Sequence, residues 1–479
     1  MKVTVHGLAT GFLLLSAGCA VGPDYKAPVT AFARGWQEAG QSGIDTQPGE
    51  LAKWWTEFKD PLLDSLVERA VKSNLDLRIA EARIREARGA LGVAGADLWP
   101  TLDVSGSYTR NRASENAVGS PSQGAVAGLG GGRQLEQDLF KTGFDSGWEI
   151  DIFGGARRRI EAAEANVEAS VDDRRAVLVT LLGDVAKSYI DLRGFQRRIA
   201  VAQENLRAQR ETLSITKVRF DAGLASDLEV AQAEGEVGAT AAQIPILQSG
   251  LKQALYRLDV LLGAQPGALS VELASEAPIP ALPPQAQVGL PADLLRRRPD
   301  IRRAERQLAA ATAQVGAATA DLYPRFSLIG TFGLQSISAS DWLTGRSRFW
   351  SIGPTISWPV FDAGRIRANI EIRNAQQEQA LRLYEKSVLT ALEDVENALA
   401  SYGNEQIRYR SLIDAVAANR RAVQMANELY TRGLIPFLDV LDSQRSLYSA
   451  ENDLTQSEAI MASNLVALYK ALGGGWETN

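Results

Sequence analysis

Residues 220–230 read FDAGLASDLEV, and residues 430–440 read YTRGLIPFLDV. Both segments place a Gly-Leu pair, Gly223–Leu224 and Gly433–Leu434, between two long stretches without glycine pairs or turn clusters. A glycine at such a place ends a helix because it adopts the left-handed conformation without strain. The two segments lie 210 residues apart, so the sequence predicts one helical hairpin that occurs twice.

Two other segments recur in the same order. Residues 96–100, ADLWP, return as residues 320–324, ADLYP, and Asp151–Phe153 is echoed by Pro359–Phe361. The offsets of 224 and 208 residues differ by 16, so the first copy carries an insertion between these two segments. We expect the insertion to be a loop and the chain to consist of two copies of one unit.

The N-terminus has the composition of a secretory signal. Lys2 and His6 precede an apolar run, Leu8–Leu15, and small residues at 16–18 then lead to Cys19. This order predicts cleavage after residue 18 and lipidation of Cys19, as in a bacterial lipoprotein. The alternative is an ordinary signal peptide with a stray thiol. That alternative is disfavoured because the chain has a single cysteine, and an unpaired exposed thiol is unusual in an oxidising compartment.

Composition argues against most kinds of enzyme. The only histidine, His6, belongs to the predicted signal, so the mature chain lacks the usual general base near pH 7 and the commonest metal ligand. The glycine run Gly128–Gly132 is not followed by the lysine of a phosphate-binding loop, and we interpret it as a loop tip. With 51 basic and 57 acidic residues and no basic tract, nucleic-acid binding is not predicted. We expect no enzymatic activity, cofactor or metal.

Four segments alternate apolar and polar residues with a period of two, which is typical of strands with one apolar face. They contain Leu102 to Tyr108, Phe140 to Ile152, Phe326 to Leu334 and Trp350 to Val360. No run of about 18 apolar residues follows the signal, so a transmembrane helix is not predicted, but the strands are long enough to cross a bilayer when tilted. The side chains predicted to face lipid are Phe144, Trp148, Ile150, Trp350, Ile352, Ile356 and Trp358.

The strands form two predicted hairpins, at about residues 101–152 and 325–360. Four strands cannot close a barrel, and open sheet edges cannot lie in lipid. We therefore expect three copies of the chain to share one barrel of about twelve strands, which is wide enough for a pore. The alternative is a soluble sheet with four half-buried strands. Pro354 argues against a central strand and suggests a local bulge.

The remaining sequence is predicted to be helical. Gly155–Arg219 and Arg365–Thr431 contain no proline, and each would form a helix about 100 Å long. After each glycine turn, apolar and small residues recur at spacings of three and four, from residue 230 to 261 and from 440 to 468. This heptad pattern predicts that each long helix returns as an antiparallel coiled coil. The alternative is that these residues form the ordinary core-facing apolar stripe of a helix and not a coiled-coil seam, since Pro245 interrupts the first seam.

The predicted fold class is α+β, with a long α-helical coiled-coil barrel, a trimer-shared transmembrane β-barrel of four strands per chain, and two internal structural repeats. The predicted organisation is a lipoprotein signal peptide at residues 1–18, a lipid-anchored segment at 19–60, a first repeat at 61–290 and a second repeat at 291–479.

Three parts of the sequence closely resemble the outer-membrane factor family. They are the mature start Cys19–Tyr25, CAVGPDY; the segment Gly353–Arg365, GPTISWPVFDAGR; and the two glycine turns. The lipoprotein branch of this family includes the OprM-like exit ducts of tripartite efflux pumps, and TolC is a more distant relative. The resemblance implies a palmitate-bearing homotrimer whose barrel lies in the outer membrane and continues as a helical tunnel. Its partners would be a periplasmic adaptor protein and an inner-membrane pump of the RND type.

The resemblance also implies a periplasmic gate. The acidic aperture residues of the family fall in the second hairpin, and residues 438–445 match that segment. Asp439 and Asp442 would line the constriction, Arg445 would be a nearby ion-pair partner, and Leu438 would narrow the gate. The alternative is that the two aspartates lie on a solvated helix face.

Adaptor contacts would lie at the helical turns by the same analogy. The residues concerned are Arg219, Gly223, Leu224, Ser226, Gly433 and Leu434. Ile435 stands where TolC-like members can carry a latch arginine, so that latch is not expected here.

These observations favour a passive exit duct for small molecules such as drugs, located in the cell outer membrane with a long periplasmic extension. Two alternatives stay open: the exit duct of a type I protein secretion system, and a structural envelope lipoprotein. The alternating strands favour a duct, because a structural scaffold needs no lipid-facing side chains.

Overall fold

A computed structural model describes residues 20–29, 35–38, 40, 44–47, 49, 51–112, 114 and 136–477. The predicted signal peptide, Cys19 and the glycine run Gly128–Gly132 lie outside the described residues, as does nearly all of the inserted loop.

The elements follow the order expected for two copies. A two-residue strand, β1 (Ile44–Asp45), and a 3-10 turn, Trp54–Phe58, come first. The first copy then contains α1 (Pro61–Ser73), α2 (Leu75–Ala96), β2 (Thr101–Arg112), β3 (Glu136–Ile150), α3 (Gly155–Asp221) and α4 (Asp227–Leu261). A short strand, β4 (Ala286–Gln287), pairs in parallel with β1. The second copy contains α5 (Leu294–Arg297), α6 (Pro299–Ala320), β5 (Arg325–Ser336), β6 (Arg348–Ser357), α7 (Arg365–Thr431) and α8 (Phe437–Ala471).

The two long helices agree closely with the prediction. Both α3 and α7 contain 67 residues, and both returning helices, α4 and α8, contain 35. The seam residues predicted on α4 and α8 are buried or half-buried. Pro245 lies inside α4 without ending it. None of the helices in the described residues is long and apolar enough to cross a membrane.

The chain divides into two compact units. The first is formed by the described parts of residues 1–27, 86–167 and 306–381, and it contains a four-stranded antiparallel sheet in the order β2-β3-β5-β6. The second is formed by the described parts of residues 28–85, 168–305 and 382–479.

The pairing register of the sheet separates apolar from polar side chains. Val104 lies opposite Phe144, Phe144 opposite Phe332, and Phe332 opposite Trp350, so these residues share one face. The same face carries Leu102, Tyr108, Phe140, Trp148, Ile150, Phe326, Leu328, Leu334, Ile352 and Ile356. The opposite face carries mostly polar residues, such as Asp103, Asp145, Thr331 and Ser351.

The bulge expected at Pro354 is absent from this sheet. Pro354 lies directly opposite Leu328, and the register between β5 and β6 runs without interruption on both sides of the pair. The prediction of a bulge was wrong: Pro354 is accommodated in regular register on β6. In an antiparallel ladder each residue directs its N–H to only one side of the strand, so a proline removes at most one ladder hydrogen bond.

The second unit has the largest apolar core. It includes Trp54, Phe58, Tyr189, Leu258 and Tyr402, all nearly inaccessible to solvent. Trp54 stacks on Tyr469 with 5.3 Å between ring centroids. Large aromatic side chains bury much apolar surface, so this core stabilises the second unit.

Candidate functional site

The two glycine turns have the same backbone geometry. Gly223 and Gly433 have φ angles of +76° and +72°. The N–H of Leu224 donates to the Arg219 carbonyl at 2.8 Å, and the N–H of Leu434 donates to the Leu429 carbonyl at 3.0 Å. A bond of this kind from the residue after a left-handed glycine satisfies the last free carbonyls of the preceding helix. The repeat that the sequence indicated is therefore a repeat of backbone structure.

A small apolar cluster, which we call the tip cluster, packs behind the turns. It consists of Ala233, Ala426, Tyr430, Phe437, Val440 and Leu441. The rings of Tyr430 and Phe437 lie 5.5 Å apart. Because members come from α4, α7 and α8, the cluster holds the ends of both hairpins together.

Arg219 lies between the two turns. Its Nη1 donates to the Thr431 carbonyl at 3.1 Å, and its guanidinium lies 4.6 Å from the centre of the Tyr430 ring. The Tyr430 hydroxyl donates to Glu229 Oε2 at 3.0 Å. Burial raises the pKa of the Tyr430 hydroxyl above its ordinary value, and the Glu229 carboxylate acts in the same direction. Ser226, another predicted adaptor contact, accepts from the Glu229 N–H at the start of α4.

The contact between Tyr430 and Glu229 was not among the predictions from the sequence. One signal was present: Tyr430 aligns with Phe220 of the first copy, so the second copy carries an additional hydroxyl. A buried hydroxyl requires a partner, and a carboxylate at the facing turn was the available candidate.

The four predicted gate residues are exposed at the start of α8. They are Leu438, Asp439, Asp442 and Arg445. Arg445 Nε lies 2.7 Å from Glu236 Oε2 on α4, and the Glu236 side chain is 9% exposed. Within the described chain, Arg445 is therefore positioned by a carboxylate that the sequence analysis did not identify. Asp439, in the first turn of α8, lies where a negative charge is favoured by the helix dipole.

Both turns also present exposed leucines. Leu224 is 68% exposed and Leu434 is 65% exposed. A Cβ added at Gly223 would meet no atom within 4 Å. Each turn thus presents one apolar side chain to solvent at the same place in both copies.

The predicted lipid-facing residues lie on the apolar face of the sheet, with one exception. Trp350 is 72% exposed, and Phe144, Ile352 and Ile356 are also exposed on that face. Trp358 follows the last residue of β6, Ser357, and therefore lies just outside the strand.

Two of the predicted tryptophans make equivalent hydrogen bonds. Trp148 Nε1 donates to the Leu98 carbonyl at 2.9 Å, and Trp358 Nε1 donates to the Leu322 carbonyl at 3.1 Å. In each copy, the acceptor belongs to the segment before the first strand and the donor to the end of the second. The pair of bonds therefore closes each hairpin at its base.

The segment at residues 21–24 is held by Arg158, whose side chain is 6% exposed. Arg158 Nη2 lies 2.6 Å from Asp24 Oδ1, and its Nε donates to the Val21 carbonyl at 3.2 Å. Gly22 has a φ of +92°, and a Cβ there would clash with the Gly316 Cα. Glycine is therefore required at residue 22 by both conformation and space.

Comparison with known proteins agrees with this geometry. The family model described as outer membrane efflux protein matches residues 66–264 and 290–474. Nodulation protein T of Rhizobium leguminosarum bv. trifolii is 34% identical, covering 97% of this chain and 96% of that protein. The solvent efflux pump outer membrane protein SrpC of Pseudomonas putida is 33% identical, covering 98% and 97%.

A solved structure extends the similarity to the whole fold. The outer-membrane channel OprN matches with a TM-score of 0.88 and 39% identity, covering 96% of this chain and 100% of that chain. Sequence and structure thus agree over almost the full length. The chain belongs to the outer membrane efflux protein family.

Proposed function

We propose that this protein, as a homotrimer, is the passive exit duct of a tripartite efflux pump that exports small molecules across the outer membrane. The observation that carries the proposal is the four-stranded sheet, which has one exposed apolar face and two open edges, β2 and β6. Open edges cannot lie in lipid, because their N–H and C=O groups would have no partners. Pairing β2 of one copy with β6 of the next removes the edges, and three copies give about twelve strands around a pore.

The polar face of the sheet would then line the pore. Asp103, Asp145, Thr331 and Ser351 share that face, while Trp350 and Phe144 point to the opposite side. A barrel that is apolar outside and polar inside admits water and dissolved solutes. The 67-residue helices α3 and α7 supply the periplasmic extension.

Asp439 and Asp442 would form the gate. Three chains bring six carboxylates to one ring, which favours cations over anions. Leu438, beside them, would narrow the opening, and the Arg445–Glu236 pair would fix α8 against α4.

The exposed turns would meet the periplasmic adaptor protein. Leu224 and Leu434 supply equivalent apolar contacts, and Gly223 and Gly433 allow close approach of a partner backbone. An inner-membrane pump of the RND type would then deliver the exported molecules to the duct.

The lipid anchor would be attached at Cys19. Arg158 fixes Val21 and Asp24, and the Val21 N–H donates to the Phe153 carbonyl, just after β3, at 3.1 Å. These contacts hold residues 21–24, which follow the proposed acylation site in the sequence, against the end of β3 and the start of α3. Cys19→Ser, expressed behind an alternative signal, should lose incorporation of labelled palmitate; persistent labelling would place the acyl chain elsewhere.

The decisive experiment is to purify the protein in detergent and reconstitute it. We expect a trimer that heating converts to monomers, and single-channel conductance in planar bilayers. A stable monomer with intact strands by circular dichroism would contradict the shared barrel. A trimer without conductance would instead favour a structural envelope lipoprotein.

A further inference from the structure

A cavity with a mixed polar and apolar lining lies between the helices of the second unit, beside the tip cluster. Its volume is about 220 Å³, and side chains from α3, α7 and α8 line it. The residues that matter here are Asn205, Gln209, Thr212, Asn427, Tyr430 and Gln444. Buried amide and hydroxyl side chains such as Gln209, Thr212 and Gln444 are unusual at this position, because the inner positions of a coiled coil are ordinarily apolar.

Gln209 has a buried side-chain amide that makes no hydrogen bond to the described residues. It is 4% exposed, yet neither its Oε1 nor its Nε2 has a hydrogen-bond partner among the described residues. The neighbouring polar groups do have partners: Gln444 Nε2 donates to Thr212 Oγ1 at 2.8 Å, and that hydroxyl donates to the Ala208 carbonyl at 3.0 Å. A side-chain amide has two donors and two acceptor sites, so leaving it unpaired in a dry interior is strongly unfavourable.

The cavity has the size and chemistry to hold water. A buried site retains water when it has room for the molecule and offers two to four polar partners. The volume of about 220 Å³ is well above the roughly 10–15 Å³ that one water molecule requires. The amide of Gln209 and the other polar side chains of the lining supply the partners.

The cavity adjoins the tip cluster along α7, so water in it would affect how the helices move against one another. Tyr430 belongs both to the cavity lining and to the tip cluster, so a hydrated contact and a close-packed apolar contact are adjacent along α7. Close-packed apolar contacts have few alternative arrangements and resist sliding. Hydrogen bonds to water can form again after a displacement, because water molecules reorient and exchange.

We propose that the Gln209 amide holds a cluster of ordered water molecules in this cavity, and that this wet layer lets α7 and α8 shift along α3 when the tip opens. The proposed hydration depends only on the cavity and the Gln209 amide, not on the function of the protein. The role in opening rests on the proposed function, because it requires that the protein be a channel.

The first test replaces the amide with an apolar side chain of similar volume, Gln209→Leu. We expect it to displace the water, to raise the midpoint of thermal unfolding by about 2–4 °C, and to lower the open probability in planar bilayers roughly five- to tenfold. The matched control is Gln203→Leu, the same change at an exposed position of the same helix, which should alter neither quantity. Equal open probabilities for the two variants would overturn the role in opening.

The second test is Gln209→Glu. In a hydrated cavity the carboxylate remains solvated, and the trimer should form with a similar midpoint of thermal unfolding. In a dry cavity the buried charge would abolish assembly, and that result would overturn the hydration. A high-resolution crystal structure checks the same point directly: water molecules bonded to Gln209 support the proposal, and an empty cavity contradicts it.

These experiments separate the inference from the function on which part of it rests. A wild-type trimer that does not conduct would overturn the channel and the role in opening together. Ordered water at Gln209 in that same protein would still confirm the hydration of the cavity.

Discussion

Gly223 and Gly433 adopt φ angles within a few degrees of each other, and the leucine after each donates to the carbonyl five residues back. The side chains around these two turns differ. Tyr430 is buried in the tip cluster, whereas Phe220, at the same place in the first copy, is exposed. The comparison shows that duplication preserved the backbone of the hairpin while the side chains of the two copies took different roles.

The division of roles extends to the acidic residues. Glu229 of the first copy accepts a hydrogen bond from Tyr430, whereas Asp439, its counterpart in the second copy, is exposed. Glu236 of the first copy likewise receives Arg445 of the second. The first copy thus supplies internal partners, and the second copy presents the proposed gate.

The largest expected effect comes from separating Arg445 and Glu236. Arg445→Ala leaves a nearly buried carboxylate without its partner, and we expect a loss of about 1–3 kcal/mol in the free energy of unfolding. The value lies below that of a fully buried ion pair because the Arg445 side chain is 54% exposed. Denaturant titration of the detergent-solubilised protein measures the loss.

A double mutant tests whether the loss belongs to the pair. Adding Glu236→Gln to Arg445→Ala should recover much of the stability, because the neutral amide no longer needs a cation. Additive losses in the two single variants would show that the residues act independently.

The next largest effect is expected from replacing the glycines of the two turns, which tests whether their backbone conformations are equivalent. Gly223→Ala and Gly433→Ala both place a side chain at positive φ, and each should cost about 1–2 kcal/mol. Equal costs would support equivalent turns. Gly235→Ala is the control, since this glycine lies inside α4, where alanine is favoured by up to about 1 kcal/mol. A loss of stability in only one of the two variants would show that the two turns are not equivalent.

A smaller effect should follow removal of the tyrosine hydroxyl. Tyr430→Phe loses the hydrogen bond to Glu229, and we expect a loss of about 0.5–1.5 kcal/mol. The folded protein raises the pKa of Tyr430, so its contribution to stability is complete below the unfolded pKa and is lost as the pH rises through the folded pKa. The alkaline decline in the unfolding midpoint should therefore be weaker in Tyr430→Phe than in wild type. An identical alkaline decline in Tyr430→Phe and wild type would show that other tyrosines cause it.

The smallest effect on stability is expected at the gate, where the functional effect should be clear. Asp439→Asn combined with Asp442→Asn should leave the unfolding midpoint almost unchanged, because both side chains are exposed. Reversal potentials in asymmetric salt should show a weaker preference for cations. Asp414→Asn, at an exposed position on α7, is the control. An unchanged preference in the double variant would place both aspartates on a solvated face.

The sequence was sufficient to predict the long helices and the four long strands. Without proline or a turn signal, α7 could be delimited at Arg365–Thr431, the same bounds that the structure shows. Strict alternation located β3 and β6 because the period of a strand is two residues. The bounds of α3 differ only in that the helix continues to Asp221.

The contacts between elements could not be predicted in the same way. Arg445 meets Glu236, and Tyr430 meets Glu229, only because α8 and α7 have particular rotations against the first hairpin. Periodicity shows which face of a helix is apolar, but it does not determine which residues lie opposite each other. Pro354 was misjudged for a related reason, since periodicity does not show to which side of the strand a residue directs its backbone nitrogen.

The equal lengths of the paired helices restrict how this protein can be redesigned. Arg219 and Thr431 meet because 67 residues precede the turn region in both copies. Adding a heptad to α3 alone would displace its turn by about 10 Å and separate the two tips. A longer or shorter variant therefore needs the same insertion in all four helices of the two hairpins, so the length of this protein can be engineered only in matched heptad steps.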